Sequence, residues 1–437
     1  MIVLALLAAC AVSVRLALRR PAVWLGTSLL TAMLPAGATR SWMAALGPLA
    51  TVPPATWLML AGSAALLLDE RRAARRGTWL LLGTTGAVAV VSAGVVWLVH
   101  GQASTTALIV LWLVPMAGFV AVLAASTAQS TRDVWTAVRP SVSALAVAEA
   151  LLAVAQRVAA DGLVFEEFRT AAAVYGRTGR SAGTFDTPLD LAAFLTFALV
   201  VVVRGPNVWV RWTASAVVLA GVVCSGSRTG IIIAAAVVCL GVAVRGGRRL
   251  VDVVIAVGAA VAVAFVVSSA WAEPLFARFG ARGERSSWAR DLARDTGLQL
   301  IEQRPLTGSG LTYAYEYALA NLPSSFEDAW LSLAIGAGLP VAALVAAVPV
   351  VGWLLPGRAA PLTRAAGAVP LIWGFSYSSY TATNTFGVLA WTFLGLSAAA
   401  LLRDRAETGE LVTAPRLTAG GASDTTARGT GAARAAR

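Results

Sequence analysis

Apolar runs of about twenty residues recur along most of this chain, and no other feature limits its fold as strongly. They can be read at about 1–18, 22–38, 41–68, 78–99, 105–125, 141–160, 187–203, 208–224, 229–244, 250–270, 328–355, 365–382 and 384–402. As a helix, such a run is long enough to cross the hydrocarbon core of a bilayer with its backbone hydrogen bonds satisfied internally. A membrane barrel would instead show short alternating segments, and none occur. The pattern predicts an all-α, polytopic transmembrane protein of about 12–13 spans in the cell membrane. A single transmembrane domain is expected over 1–402, with external loops at 161–186 and 271–327. Residues 403–437, rich in Thr, Gly, Ala and Arg, are expected to be a disordered cytoplasmic tail.

Composition supports this and removes other classes. Hydrophobic residues make up 58% of the chain and charged residues 13%, about half the charged share of a soluble domain. The net charge of +12 does not point to nucleic acid, because its arginines lie largely between apolar runs; lysine is absent. Arg19–Arg20, Arg71–Arg72 with Arg75–Arg76, Arg132 with Arg139, Arg204 with Arg211, Arg245 with Arg248–Arg249, and Arg358 with Arg364 all fall on one side. By the positive-inside rule that side is cytoplasmic, and Arg403 and Arg405 put the C-terminus there too. No basic region precedes the first run, so that run is expected to be a span and not a cleaved signal. Cys10, Cys224 and Cys239 sit in or beside apolar runs without metal spacing, and His100 is the only histidine. No metal site and no cofactor is expected.

Two segments on the opposite side carry arginine against that rule. One is 161–186, with Glu166, Glu167, Arg169, Arg177 and Arg180. The other is 271–327, with Arg278, Arg282, Arg285, Arg290, Arg294 and Arg304. Within it, Trp288, Leu292, Leu298 and Ile301 lie among charges over 287–303. That suits an amphipathic helix on the outer membrane face, ended by Pro305.

Arginine's planar fork donates parallel, charge-assisted hydrogen bonds to phosphate, so outward arginines suit a lipid diphosphate. Arg228 is the sharpest case. Ser225-Gly226-Ser227-Arg228-Thr229-Gly230 separates two apolar runs with hardly any loop, which places Arg228 at the membrane boundary. An intramembrane charge is costly and usually functional, although a snorkelling arginine at a tight hairpin gives the same sequence. Arg180 precedes the span that starts near Pro188, and a solvated loop charge is the alternative there. Glu149 and Arg157 share one helical face of the sixth run and are expected to partner other helices. Glu327 and Asp328 open a later span, where acids also serve as caps.

In order and spacing these pieces resemble the O-antigen ligase/polymerase family of bacterial surface-polysaccharide enzymes. The matching elements are Arg180–Phe185 (Arg-x-x-Gly-x-Phe), Ser227-Arg228-Thr229, then Arg290. Pro305-Leu306-Thr307-Gly308-Ser309-Gly310 and Glu327-Asp328-Ala329-Trp330-Leu331 follow, and then Gly338-Leu339, where Pro340 breaks a Gly-Leu-x-Gly match. The resemblance implies a GT-C-like membrane glycosyltransferase that takes a glycan from an undecaprenyl-diphosphate carrier on the outer face. The acceptor would be a hydroxyl of a saccharide or lipid. Arg180, Arg228 and Arg290 would neutralise the departing diphosphate, with Arg304 a further candidate ligand. Glu327 would act as general base, with Asp328 beside it as a second candidate or a helix cap. Ligases that act on lipid A-core resemble one another in a histidine at the place of Glu327. Its absence favours a polymerase or a ligase with another acceptor. A lipid-linked saccharide flippase is the alternative from a different class, and a non-catalytic envelope scaffold a third.

Overall fold

The computed structural model describes residues 2–34, 39, 41, 43–69, 76–129, 131–159, 180–244, 281–355, 361–377, 380, 381 and 385–413. The expected span at 250–270, loop residues 161–179 and 271–280, and tail residues 414–437 lie outside them, as do Arg71, Arg72, Arg75, Arg245, Arg248, Arg249 and Arg358. The described chain folds into helices α1 (Ile2–Arg19), α2 (Pro21–Leu30), α3 (Pro54–Leu67), α4 (Arg76–Leu108), α5 (Ala117–Ala128), α6 (Thr131–Val158) and α7 (Pro188–Val202). There follow α8 (Val208–Ser225), α9 (Arg228–Ala243), α10 (Ala281–Gln303), α11 (Tyr313–Asn321), α12 (Ala329–Ala337), α13 (Leu339–Leu354), α14 (Pro361–Gly374) and α15 (Thr385–Thr413). Short 3-10 and π turns complete it, and no strand occurs among the described residues.

Among the described residues, four stretches are long and apolar enough to cross a membrane: Gly77–Ala128, Thr131–Val158, Val208–Ser225 and Thr385–Arg403. Five shorter apolar helices accompany them, α2, α3, α7, α9 and α13. The chain is an all-α, multi-pass membrane protein.

Two expected runs, 41–68 and 328–355, are broken where hydropathy gives no warning, and a third break falls in the gap between the expected runs 78–99 and 105–125. The 41–68 run contains a 3-10 stretch with Gly47 at φ 59° before α3 starts at Pro54. The 52-residue stretch Gly77–Ala128 is interrupted at Gly101, at φ 77°. Unbroken, it would be about 78 Å long, far beyond the ~30 Å of a hydrocarbon core. The 328–355 run divides into α12 and α13 at Gly338, at φ 85°. A difference of another kind lies at the C-terminus. The helix of the last span continues to Thr413, through residues expected to begin a disordered tail. Arg, Ala, Glu and Leu in 403–413 are good helix formers and simply extend a helix already nucleated by its packed part.

α7 is the centre. Every residue of it except Leu189 is buried, and it packs on α6, α8, α9, α14 and α15. A helix apolar all round requires neighbours all round. Small residues let the others approach closely. A methyl on Gly118 of α5 would lie 2.3 Å from the Val388 carbonyl of α15, and one on Gly62 of α3 would lie 2.2 Å from the Trp24 indole of α2.

The two ends of the bundle differ. At one end Arg204 lies over the Trp135 ring at 4.5 Å and donates to Thr363 Oγ1 at 2.9 Å. Trp135 Nε1 donates to the Leu396 carbonyl, and Ala22 N–H to Gln129. These contacts join Arg204, after the end of α7, to α6 and α14, α6 to α15, and the start of α2 to the residue after α5; Arg20, Arg132, Arg139 and Arg211 lie close to these residues in sequence. The opposite end carries the 180–187 segment, the α8–α9 turn and the starts of α12 and α15.

Candidate functional site

Arg180 begins an arm, 180–187, that enters α7 by an irregular path. Ser181, Ala182, Thr184 and Phe185 are all buried, so the arm's backbone groups need partners inside the protein. α6 supplies one wall. Gln156 Oε1 accepts from the Ala182 and Gly183 N–H groups at 3.2 and 2.9 Å, and its Nε2 donates to the Gly183 carbonyl at 2.8 Å. About two turns earlier on the same face, Glu149 is fully buried. Its carboxylate accepts from Thr184 N–H at 2.9 Å and from Thr184 Oγ1 at 2.5 Å.

The α8–α9 turn supplies the other wall. Ser181 N–H donates to the Cys224 carbonyl at 3.1 Å, and Arg180 Nε to the Ser225 carbonyl at 2.8 Å. The turn is as tight as its sequence implies. Gly226 caps α8 in the left-handed region at φ 62°, and Ser227 Oγ accepts from Gly230 N–H to cap α9. Arg228 is therefore the first residue of α9, half-buried, its side chain making no hydrogen bond or ion pair with a described residue. It stands where the helix dipole already favours an anion.

Gly183 is required by this packing. At φ 60° a Cβ there would lie 2.1 Å from Glu149 Oε2. Gly183→Ala is expected to destabilise the protein by about 1–3 kcal/mol or expel the arm, because the left-handed conformation and the contact both resist a side chain. Thermal unfolding of the variant in detergent measures this, and an unshifted midpoint would contradict the arrangement.

The arm continues to a second polar junction. Thr187 caps α7, accepting from Asp190 N–H, and its hydroxyl donates to Asp190 Oδ2 and lies 2.7 Å from Tyr377 Oη. Tyr377 packs on Phe386, Phe386 on Tyr380, and Tyr380 on Trp330 in the first turn of α12. Glu327 and Asp328 stand immediately before that turn. Asp328 Oδ1 accepts from Leu331 N–H at 2.9 Å, so Asp328 is the cap of α12. Glu327 is paired with Arg290, Nε to Oε2 at 2.5 Å.

α10 docks on α12 by a face the sequence pattern did not favour. Ala293 and Leu300 are buried with Phe326 and Ile335, and Gly297 meets Leu331. Trp288, Leu292 and Leu298 stay exposed, and Ile301 packs inward. The four residues expected to form one membrane-facing stripe are thus divided between two faces. The glycine elements meet each other. Ser309 N–H donates to the Ile335 carbonyl, Gly310 N–H to the Gly336 carbonyl, and Leu339 N–H to the Pro305 carbonyl. A methyl on Gly308 would lie 2.5 Å from the Gly336 oxygen, so the loop seats on the α12–α13 break through bare backbone.

The arm thus brings Arg180 onto the turn that carries Arg228, while Arg290 and Glu327 form a second unit joined to the first by the Tyr377–Trp330 aromatic row. Arg304 is exposed after α10, and its side chain makes no polar contact with a described residue. Sequence reasoning left Gln156, Thr184 and Tyr377 unmarked. The signal for Gln156 was its place on the Glu149 face; an isolated Thr or Tyr carries no such signal.

The family described as O-antigen ligase matches residues 213–346. That segment is similar to the O-antigen ligase family. It runs from α8 into α13 and contains Arg228, Arg290, Glu327 and both glycine elements, while the Arg180 arm precedes it. No curated protein matches the chain. The match to O-antigen ligase supports a glycosyltransferase-like role in polysaccharide assembly, within a membrane-embedded helical body.

Proposed function

We propose that this protein transfers a glycan from an undecaprenyl-diphosphate carrier to an acceptor hydroxyl on the outer face of the cell membrane. The observation that carries the reading is the Arg180 arm seated on the α8–α9 turn, beside a half-buried Arg228 without a described partner. A guanidinium held there at a helix N-terminus suits a diphosphate at the headgroup level. In the reaction the acceptor oxygen attacks the anomeric carbon, and the bond from that carbon to the diphosphate oxygen breaks. The electron pair leaves with the diphosphate, whose growing charge Arg180 and Arg228 meet. The hydroxyl proton passes to a carboxylate, for which Glu327 is the candidate. Arg290 serves first as the partner of Glu327 and second as a phosphate ligand. Incubating the purified protein with an undecaprenyl-diphosphate glycan tests the reading. Longer chains identify a polymerase, transfer to an added acceptor identifies a ligase, and an unchanged donor rejects both.

The reading requires the arginine-rich end of the bundle to face the cytoplasm. In a chain whose native cysteines are replaced, Ser325→Cys is expected to react with a membrane-impermeant thiol reagent in intact cells. Asp69→Cys is expected to react only after permeabilisation. The reverse pattern would turn the protein over and remove an outer-face donor.

A further inference from the structure

We propose that Glu149 and Gln156 are positioning residues of this site, gripping the arm so that the Arg180 guanidinium stands against the turn carrying Arg228. The proposal rests on the reading of Arg180 as a donor ligand. Five hydrogen bonds carry it, all between one face of α6 and three consecutive residues of the arm. Gln156 holds Gly183 from both sides, taking its N–H and giving to its carbonyl. Glu149 takes both donors of Thr184. The arm is then pressed between α6 and the turn, where Ser181 and Arg180 bond the last carbonyls of α8.

A carboxylate is a costly way to hold a loop inside an apolar bundle, since packing alone could bury the same chain. What the polar grip adds is direction. It specifies one backbone path through Ala182, Gly183 and Thr184, and that path sets the course of the chain at Arg180. Gly183 belongs to the same device, because any side chain there would collide with the Glu149 carboxylate. Catalysis that depends on a cation at a defined place is sensitive to small displacements of its support.

The test reads position and activity separately. Cys10 and Cys239 are replaced by alanine, Cys224 is kept, and Ser181→Cys is added. Residues 181 and 224 are in direct backbone contact, so mild oxidation is expected to join them. Glu149→Gln and Gln156→Leu are each expected to slow this cross-linking about tenfold, through loss of the hydrogen bonds that hold the arm. Thr184→Ser keeps the hydroxyl and should cross-link at the parent rate, whereas Thr184→Val should resemble Glu149→Gln. This pair of small changes decides the matter even if the larger ones reduce folding. In the native cysteine background the same variants are expected to lower the turnover of glycan transfer about tenfold, with Thr184→Ser unaffected. Unchanged cross-linking in Glu149→Gln, Gln156→Leu and Thr184→Val overturns the grip. Slowed cross-linking with undiminished transfer overturns instead the reading of Arg180 as a donor ligand.

Discussion

Arg228→Ala is expected to lower glycan transfer by roughly 100- to 1,000-fold, the loss typical of removing one donor that stabilises developing negative charge. Arg228→Lys should recover little of this, because an ammonium keeps the charge but lacks the planar fork that meets two phosphate oxygens together. Protein yield and thermal stability should hold in both variants. The turn itself is made by others: Gly226 supplies the left-handed cap of α8, and Ser227 Oγ caps α9. Arg228 contributes no described hydrogen bond or ion pair to either. A half-buried arginine kept only for snorkelling would give the opposite result. Full transfer by both variants would assign it that lesser role. Turnover with a defined undecaprenyl-diphosphate glycan, measured on folded protein in detergent, separates the two.

The legible part of this molecule was its material and its order along the chain. Runs of Ala, Val and Leu announced helices because hydropathy averages over many residues, and the described helices other than α10 and α11 lie largely where the runs are. The breaks were hidden because they depend on one φ angle. Gly47 and Gly338 turn the chain inside apolar stretches whose hydropathy hardly changes. The Arg180 and Arg228 elements could be found separately, and their motif order suggested a common task. Their contact is a tertiary fact: the Ser225 carbonyl that receives Arg180 Nε is a backbone atom, which no sequence pattern marks. Glu149 was visible as a charge in a span, expected to partner another element, but no pattern named that partner. Its described contacts include the N–H and hydroxyl of Thr184, a residue remote in sequence. α10 misled for a simpler reason. Its docking face is built from Ala293, Gly297 and Leu300, and small residues count for little on a hydropathy scale while allowing the closest packing.

Glu327→Gln is expected to reduce transfer by about 100- to 10,000-fold while leaving donor binding intact, the range for loss of a positioned general base. Glutamine keeps the size and can still accept from Ser324, but it cannot take the acceptor's proton. The ion pair with Arg290 complicates a single substitution, because Glu327→Gln also removes the charge facing that guanidinium. Arg290→Gln resolves this. If the pair matters only as a strut between α10 and the start of α12, the two variants should share one modest loss and one loss of thermal stability. The double variant should then be no worse than either alone. If Glu327 takes the proton, Glu327→Gln should be far the more damaging. Arg290→Gln should then weaken donor binding, through the phosphate contact that remains to Arg290 once a donor arrives. Asp328 provides the control: as the cap of α12, Asp328→Asn should cost little activity, since asparagine caps about as well. Near wild-type turnover in Glu327→Gln would leave the departing diphosphate to its arginines, with the acceptor proton lost to water.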